Sequence, residues 1–475
     1  MKFKIFILIV SAGFIFSACD DALNVTPKSD LTVDRFWKTN RDANVGVVAI
    51  YNAFSKAMAR GLWDWGELRA DNFDFIEQYA LDERELVENV IFIDNPAALW
   101  TSLYDVIGKA NAAIKYIPDI SMDSKLKDHY LGEAYAMRAW AYYYCVRTWG
   151  DVPLYLEPVE EVSQGIHRKR TDKDVIINDV IIPDLDKAYF LIDKSNTDRS
   201  RMNVATICLL LMDVYAWNHN YVMVAKTKEE RINQLDAGAD DSPSNKWLYL
   251  VAGGPSFEQN WRGLFIDNPN IPTAAEVWFK VSYDQYENGI HQAMNYFAKG
   301  SSKFKVSRKL MDAYEDGDLR PTAQWVELTS YATRFTKKFW PEGTTFSGTG
   351  TSISDNNLVV YRYADVVLLY AEALNMLGRR VESLEQYNKT RVRAGNVPVD
   401  ISIITTQTQL SDSILAERQK EFVGEGKRWF DLVRAERWAD HTTLTDPAKL
   451  VFPIHRDHLN QNPELTQNFP AYPYP

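Results

Sequence analysis

The chain has 475 residues, of which 46% are hydrophobic and 25% charged, so it can bury a large core. Its 64 acidic residues outnumber its 53 basic ones, and the formal net charge is −11. A protein that binds nucleic acid needs a basic surface to neutralise phosphates. This acidic balance therefore argues against nucleic acid as a partner.

The start of the chain has the pattern of a bacterial secretion signal. Two lysines precede an apolar run from 5 to 16, which is shorter than the roughly 20 residues that span a membrane. Small residues then precede Cys19, although Phe16 stands where lipoprotein signals usually have Leu. We interpret 1–18 as a signal peptide and Cys19 as the lipidated first residue of the mature chain; an ordinary signal peptide is the alternative.

Apolar residues at three- and four-residue steps predict helices over most of the remaining chain. The predicted helices are 42–60, 97–117, 125–149, 172–192 with a break near Pro183, 203–217, 307–314, 363–377, 382–394, 410–423 and 428–437. A turn is expected at 61–66. Residues 218–357 are rich in turn residues, with a strand-like alternation at 276–281, and the tail 453–475 reads as extended.

Small and large side chains alternate in two of the predicted helical regions, 133–142 and 363–390. This alternation is typical of tetratricopeptide hairpins, in which small residues let two antiparallel helices approach closely. We therefore predict a mainly α fold. One domain spans 19–475, with tetratricopeptide-type helices at about 42–217 and 358–437 and an inserted irregular lobe at about 218–357.

Two further cysteines, Cys145 and Cys208, lie in apolar helical runs. Buried free thiols are the favoured interpretation, and one disulfide between them stays open.

The charged stretch 417–434 contains the strongest signal for an enzyme. Glu421 and Glu425 lie on one helix face, and a pair of carboxylates can act as acid and base. However, Arg418 lies three residues before Glu421, Arg428 lies three after Glu425, and Asp431 lies three after Arg428. This spacing predicts ion pairs within the helices. We favour the structural interpretation and predict no catalytic residue.

No motif predicts a metal or a cofactor. His455 and His458 have no third ligand nearby in the sequence, and the spacing of Asp312, Asp316 and Asp318 does not match a calcium loop.

Aromatic residues in turn-like segments suggest a sugar-binding surface. The apolar faces of pyranose rings stack on Trp and Tyr, and their hydroxyls bond to Asp, Asn and Arg side chains. We predict a shallow platform formed by two segments, with the candidate residues Trp63, Trp65, Arg69, Asp71, Asn72, Tyr283, Tyr286, Asn288 and His291. Trp247, Trp261 and Trp340 are the next candidates.

Five stretches in order resemble one family. They are the lipoprotein start with Asp34-Arg35-Phe36-Trp37, the run 132–139 with 149–154, Arg362-Tyr363-Ala364-Asp365 through Glu372, the run 417–434, and Pro453-Ile454 with Asn462-Pro463. They are similar to the SusD/RagB family of surface glycan-binding lipoproteins in Bacteroidetes nutrient uptake. His455 departs from the usual Pro.

The resemblance implies tetratricopeptide helices beside an irregular ligand-binding lobe, and an oligo- or polysaccharide ligand. It also implies a SusC-like TonB-dependent barrel as partner and a lipid-anchored position on the outer membrane, facing the cell exterior. Two other functions remain open. The chain could bind peptides or another polymer for the same barrel, or it could be a periplasmic tetratricopeptide scaffold. The irregular lobe argues against the scaffold.

Overall fold

The computed structural model describes residues 36–75, 81–160, 166–236, 247–265, 276–284, 286, 289–297, 303–326, 335–336, 338, 356–468 and 470–472. The predicted signal peptide and Cys19 lie outside these ranges. Within them, no helix has the length and apolar character needed to cross a membrane.

Helices make up most of the described chain. In order they are α1 (Asn40–Gly66), α2 (Leu81–Val87), α3 (Thr101–Tyr116), α4 (Ser124–Trp149), α5 (Lys173–Ile176), α6 (Ile182–Leu191), α7 (Val204–Trp217), α8 (Tyr221–Lys226), α9 (Phe257–Arg262), α10 (Ala293–Phe297), α11 (Arg308–Asp312), α12 (Arg320–Gln324), α13 (Tyr363–Met376), α14 (Arg380–Arg393), α15 (Gln407–Glu421), α16 (Arg428–Arg434), α17 (Trp438–His441) and α18 (Arg456–Gln461). The mainly α prediction is confirmed. The tail differs from the prediction, because α18 lies within the segment expected to be extended.

Short strands connect distant parts of the chain. They are β1 (Phe73–Phe75), β2 (Val152–Pro153), β3 (Arg170–Thr171), β4 (Val277–Val281), β5 (Phe304–Val306), β6 (Trp325–Val326), β7 (Phe335–Thr336) and β8 (Leu358–Arg362). Within the described ranges they form antiparallel pairs, β1 with β5, β2 with β3, β4 with β8 and β6 with β7. The β4–β8 pair brings the irregular lobe back to the start of α13.

The helices pack as close hairpins where small residues allow it. At Gly132 in α4, a Cβ would lie 3.0 Å from the backbone nitrogen of Ile192, so a larger residue would push the two segments apart. In the α13–α14 hairpin, the Ser383 hydroxyl donates to the carbonyl of Ala371 at 2.6 Å. Both contacts lie in regions whose small residues predicted hairpins.

The segment from α5 to α6 is continuous, although Pro183 predicted a break. A π-helical turn, Ile177–Ile181, joins the two helices immediately before Pro183. Proline lacks a backbone N–H and clashes with the preceding turn, and a local change in hydrogen-bond spacing accommodates it. Cys145 and Cys208 are buried free thiols.

A buried ion network joins α15 to the elements around it. Arg362, at the end of β8, bonds to Glu421 at 2.6 Å, to Glu425 at 2.9 Å and to Glu276 at 2.7 Å. Arg320 of α12 bonds to Glu421 as well, at 3.3 Å. All five side chains are at least 98% buried. These pairs connect four separate segments. The residue spacing had predicted ion pairs within the helix, but most partners of the α15 carboxylates lie on other elements.

Electrostatics keeps the buried carboxylate of Glu421 ionised. Burial alone would raise the pKa of Glu421, but the charges of Arg393, Arg362 and Arg320 outweigh it and hold that pKa well below its usual value. Removing one partner of a buried ion pair leaves an uncompensated charge in the core. The network therefore stabilises the fold only as a complete set.

We expect Glu421→Gln to lower the free energy of unfolding by about 3–5 kcal/mol. Because the folded-state pKa of Glu421 is depressed, its ionisation contributes stability above its ordinary pKa of 4.5, and that contribution falls as the pH drops below this value. The variant should therefore lose part of the acid sensitivity of the parent. Urea unfolding at several pH values measures both effects.

Glu382→Gln is the matched control, because Glu382 also pairs with an arginine, Arg379, but on the exposed surface. Equal losses of stability in the two variants would contradict the role of burial.

Candidate functional site

The two tryptophans of the predicted platform are core residues. The expected turn at 61–66 is wrong, because α1 continues to Gly66 and carries both indoles inward. Trp63 is fully buried and donates to the carbonyl of Gly424 at 2.9 Å; Trp65 is 4% exposed and donates to the carbonyl of Ala97 at 2.9 Å. Neither ring has a face available for a sugar.

The polar residues after Trp65 bind the C-terminal part of the chain. Arg69 donates to the carbonyls of Lys449 and Leu450 at 2.6 and 2.8 Å and lies 4.0 Å over the ring of Trp429. Asp71 pairs with Arg428 at 2.8 Å. The predicted ligand contacts of both residues are therefore wrong, since their polar atoms join distant segments of the fold.

The carboxylate of Asp71 and the amide of Asn72 are similarly occupied. Burial would raise the pKa of Asp71, but the hydrogen bond with His441 and the charge of Arg428 hold it well below its usual value. Asn72 is fully buried and donates to Glu67 at 2.6 Å. Asn72 is therefore also part of the core and not of a platform.

The second predicted segment does lie against α1, as expected. The hydroxyl of Tyr283 donates to the carbonyl of Ser55 at 2.5 Å, and the ring of His291 lies 5.7 Å from that of Trp63. Both Tyr283 and His291 are buried, and burial lowers the pKa of His291 to about 4. These two side chains fix the segment to the core and do not face solvent. Asn288 lies outside the described residues.

Tyr286 is the predicted site residue that the structure exposes. It is 87% accessible and projects from a short loop closed by a bridge between Asp284 and Gly289. The backbone N–H of Tyr286 donates to the Asp284 carboxylate at 2.7 Å, and that of Gly289 donates to the Asp284 carbonyl at 2.9 Å. Gly289 has φ 97°, a conformation that favours glycine. The loop thus presents one tyrosine ring to solvent on an anchored base.

A pocket of about 190 Å³ opens beside the base of this loop. Hydroxyl and amide groups of Asn52, Ser55, Ser200 and Ser282 line it, together with the guanidinium of Arg201. These groups both donate and accept hydrogen bonds, as sugar hydroxyls require. Because Ser282 lies four residues before Tyr286, the same segment carries the pocket wall and the exposed tyrosine.

The charged wall of the pocket is rigidly held. Arg201 forms two hydrogen bonds with Glu133, at 2.6 and 2.7 Å, and the Tyr51 hydroxyl donates to the same carboxylate at 2.8 Å. Burial opposes the charge of Arg201, but the hydrogen bonds and charge of Glu133 raise its pKa above the usual value. Arg201 therefore stays charged and fixed at the pocket edge.

Arg201, Asn52 and Ser282 were not among the residues predicted as ligand contacts. Asn52 could have been noticed in the sequence, because it is a polar residue within the apolar pattern of α1. Arg201 and Ser282 come together because the segment before α7 bonds directly to β4, where the backbone N–H of Lys280 donates to the carbonyl of Arg199 at 2.8 Å. Their proximity depends on the tertiary fold.

The two other candidate tryptophans that the structure describes are buried as well. Trp247 and Trp261 are 5% and 0% exposed, and Trp340 lies outside the described residues. Trp261 packs against the buried cations Arg362 and Arg393, each 5.1 Å from its ring. Within the described part of the chain, no group of three or more His, Cys, Asp or Glu residues has the arrangement of a metal site.

Two family models match the chain. The first, described as the SusD family, matches 321–443, and the second, described as starch-binding associating with outer membrane, matches 27–207. SusD-like protein P38 of Formosa agariphila is 29% identical over 515 residues, which cover 98% of each chain. A SusD-like protein of Bacteroides ovatus is 25% identical, covering 91% of this chain and 82% of that protein.

Solved structures show the same fold. B. fragilis NanU superposes with a TM-score of 0.77 at 21% identity, covering 95% of this chain and 100% of that one. A SusD homolog from Bacteroides thetaiotaomicron superposes with a TM-score of 0.75 at 23% identity, covering 91% and 99%. Sequence and fold agree from the first hairpin to the C-terminal segments, and the chain belongs to the SusD/RagB family.

Proposed function

We propose that this chain is a cell-surface lipoprotein that captures oligo- or polysaccharide and passes it to a SusC-like TonB-dependent transporter in the outer membrane. The observation that carries the proposal is membership of the SusD/RagB family, which implies glycan binding in an outer-membrane nutrient uptake system. The transfer to a barrel partner and the lipid anchor are our proposals.

The exposed loop and its pocket support sugar binding. Tyr286 offers an exposed ring for stacking, and Asn52 and Arg201 offer hydrogen-bonding groups in the pocket that Ser282, four residues before Tyr286, also lines. One stacked ring contributes about 0.5–1.5 kcal/mol, and with a few hydrogen bonds beside it we expect a Kd on the order of 0.1–1 mM, which corresponds to roughly 4–5.5 kcal/mol. Weak binding suits a protein that must release its ligand to a transporter.

The anchor follows from the sequence pattern that precedes Cys19. Lipidation at that cysteine would hold the mature chain on the outer membrane, with the following polar segment as a tether. We propose that the chain faces the cell exterior, where it could meet polymers before they reach the barrel.

We also propose that the protein has no hydrolytic activity of its own. Glu421 and Glu425, the acidic pair most suggestive of catalysis, are fully enclosed by Arg362, Arg320 and Lys338. A substrate could not reach either carboxylate without disrupting the buried network.

Replacing Cys19 by alanine should release the protein from the outer membrane, because the acyl chains would have no attachment point. Fractionation followed by a carbonate wash measures this, with the untreated parent as reference. Unchanged membrane association of the variant would contradict the lipid anchor.

Incubation of the purified protein with a broad oligosaccharide panel should yield no new reducing ends. New ends that appear with the parent protein, in proportion to its concentration, would contradict the non-enzymatic assignment.

Removing the exposed ring should weaken glycan binding. For Tyr286→Ala we expect a loss of affinity of about two- to tenfold, the equivalent of one stacking contact, and Tyr286→Phe should stay near the parent value. Calorimetry with the best-binding glycan of a panel gives the affinities.

Trp65→Ala separates packing from binding. It should lower the free energy of unfolding by about 3–5 kcal/mol, because it leaves a cavity in the core, while its folded fraction keeps the parent affinity.

A Tyr286→Ala variant that binds glycan with the parent affinity would contradict the assignment of the site to the Tyr286 loop.

A further inference from the structure

A second, larger cleft lies against the first helical hairpins and shares no lining residue with the pocket beside Ser282. Its volume is about 770 Å³, within the range of small-molecule sites. The exposed side of α3 forms the floor, residues 153–160 form one wall, and α18 forms part of the other. None of the residues predicted from the sequence as ligand contacts lines it.

Four half-buried aromatic rings border this cleft, which we call the α3 cleft. Trp37 stacks on Tyr116 with ring centroids 5.7 Å apart, and Tyr104 meets Tyr155 edge to face at 6.0 Å. Tyr104 and Tyr116 are twelve residues apart on α3, a distance of about 18 Å along the helix axis. The two aromatic pairs therefore stand at the two ends of an elongated trough, long enough for an oligosaccharide and not only for a single sugar ring.

The aromatic walls are fixed by hydrogen bonds that need no ligand. The Tyr104 hydroxyl donates to the carbonyl of Pro153 at 2.6 Å. The Asn111 amide donates to the carbonyl of Tyr155 at 2.9 Å and accepts from buried Arg138 at 2.9 Å. A prearranged site loses little conformational entropy when a ligand binds. Asn462, whose amide donates to the carbonyl of Arg168 at 2.9 Å, adds a polar group on the opposite side.

The floor of the cleft is kept open by a glycine in the middle of a helix. A Cβ built on Gly108 would meet no atom within 4 Å, so packing does not explain the absence of a side chain. Glycine is, after proline, the least favourable residue in a helix interior. Tyr104, Gly108, Ala112 and Tyr116 follow at four-residue steps, so two small residues lie between two aromatic ones on one face. Gly108 thus makes α3 less stable than an alanine would, and it leaves the space above the helix open.

The charges around the cleft favour an uncharged ligand. Asp105, Glu157 and Glu160 contribute carboxylates to its lining. Lys109 already pairs with Asp105, and Lys115, at the edge, pairs with Glu160 at 2.6 Å. Arg168 adds a third cation, 4.7 Å from the ring of Tyr155, so the charges around the cleft are close to balanced and offer an ionic polymer no net attraction, whereas a neutral sugar could use the carboxylates as hydrogen-bond acceptors.

We propose that the α3 cleft is a binding site for neutral oligosaccharides, separate from the Tyr286 loop, in which sugar rings lie along α3 over Gly108 between the two aromatic pairs. The proposal deepens the proposed function and rests on it. Apolar contact with the half-buried aromatic rings would hold the rings of the sugar, and Asp105, Glu157 and Asn462 would bond to its hydroxyls.

The test uses the mature full chain, linear oligosaccharides of neutral glucan, xylan, mannan and galactan, and one uronate oligosaccharide. Calorimetry compares the parent with Gly108→Ala, Gly108→Leu, Tyr286→Ala and the double variant Gly108→Leu/Tyr286→Ala. The leucine would project into the cleft from its floor, and its Cβ would meet no atom within 4 Å, so thermal unfolding should occur at the same or a higher temperature than in the parent.

We expect Gly108→Leu to bind its best neutral oligosaccharide about tenfold more weakly, Gly108→Ala to lose less, and the double variant to lose more than either single variant. Parent-like affinity of Gly108→Leu, both alone and in the Tyr286→Ala background, would overturn the cleft assignment and leave the proposed function intact. A preference for the uronate that Gly108→Leu abolishes would overturn the neutral class. Failure of the parent to bind any oligosaccharide would count against the proposed function itself.

Discussion

The buried network centred on Arg362 is the constraint on which the rest of the fold depends. Arg362 ends β8 and begins α13, so its bonds to Glu276, Glu421 and Glu425 connect the irregular lobe, the tetratricopeptide hairpins and the C-terminal helices at one point. Such a set is stable only when each charge has its partners. The network can therefore fix which segments meet, and helical periodicity alone could not specify that arrangement.

A second set of long-range contacts joins the first hairpin to the C-terminal segments. Arg69 binds the carbonyls of Lys449 and Leu450, and Glu67 accepts from the backbone N–H groups of Gly424 and Gly426, each at 3.1 Å. Burial raises the pKa of Glu67 to about 7, even though these donors and Asn72 favour its ionised form. Arg69, which was predicted from the sequence as a ligand contact, therefore helps to join the first hairpin to the C-terminal segments.

Much of the fold could be predicted from the sequence, because the helices have strong periodicity and clear ends. The Ser124–Trp149 helix, for example, was predicted within one residue. The site could not be predicted equally well. Trp63 and Trp65 follow a glycine and flank an aspartate, a pattern typical of a turn, and tertiary packing overrides it by giving each indole N–H a backbone acceptor. The α3 cleft was missed because its walls come from Trp37, α3 and α18, which are far apart in sequence.

Two separate weak sites would act together on a polymer. Binding at the Tyr286 loop would keep other sugar units of the same chain close to the α3 cleft, and the second contact would then form at a raised effective concentration. A short oligosaccharide could occupy only one site and would dissociate faster. The arrangement would therefore retain polysaccharide and release shorter fragments, although each site binds with the low affinity expected of a few aromatic contacts.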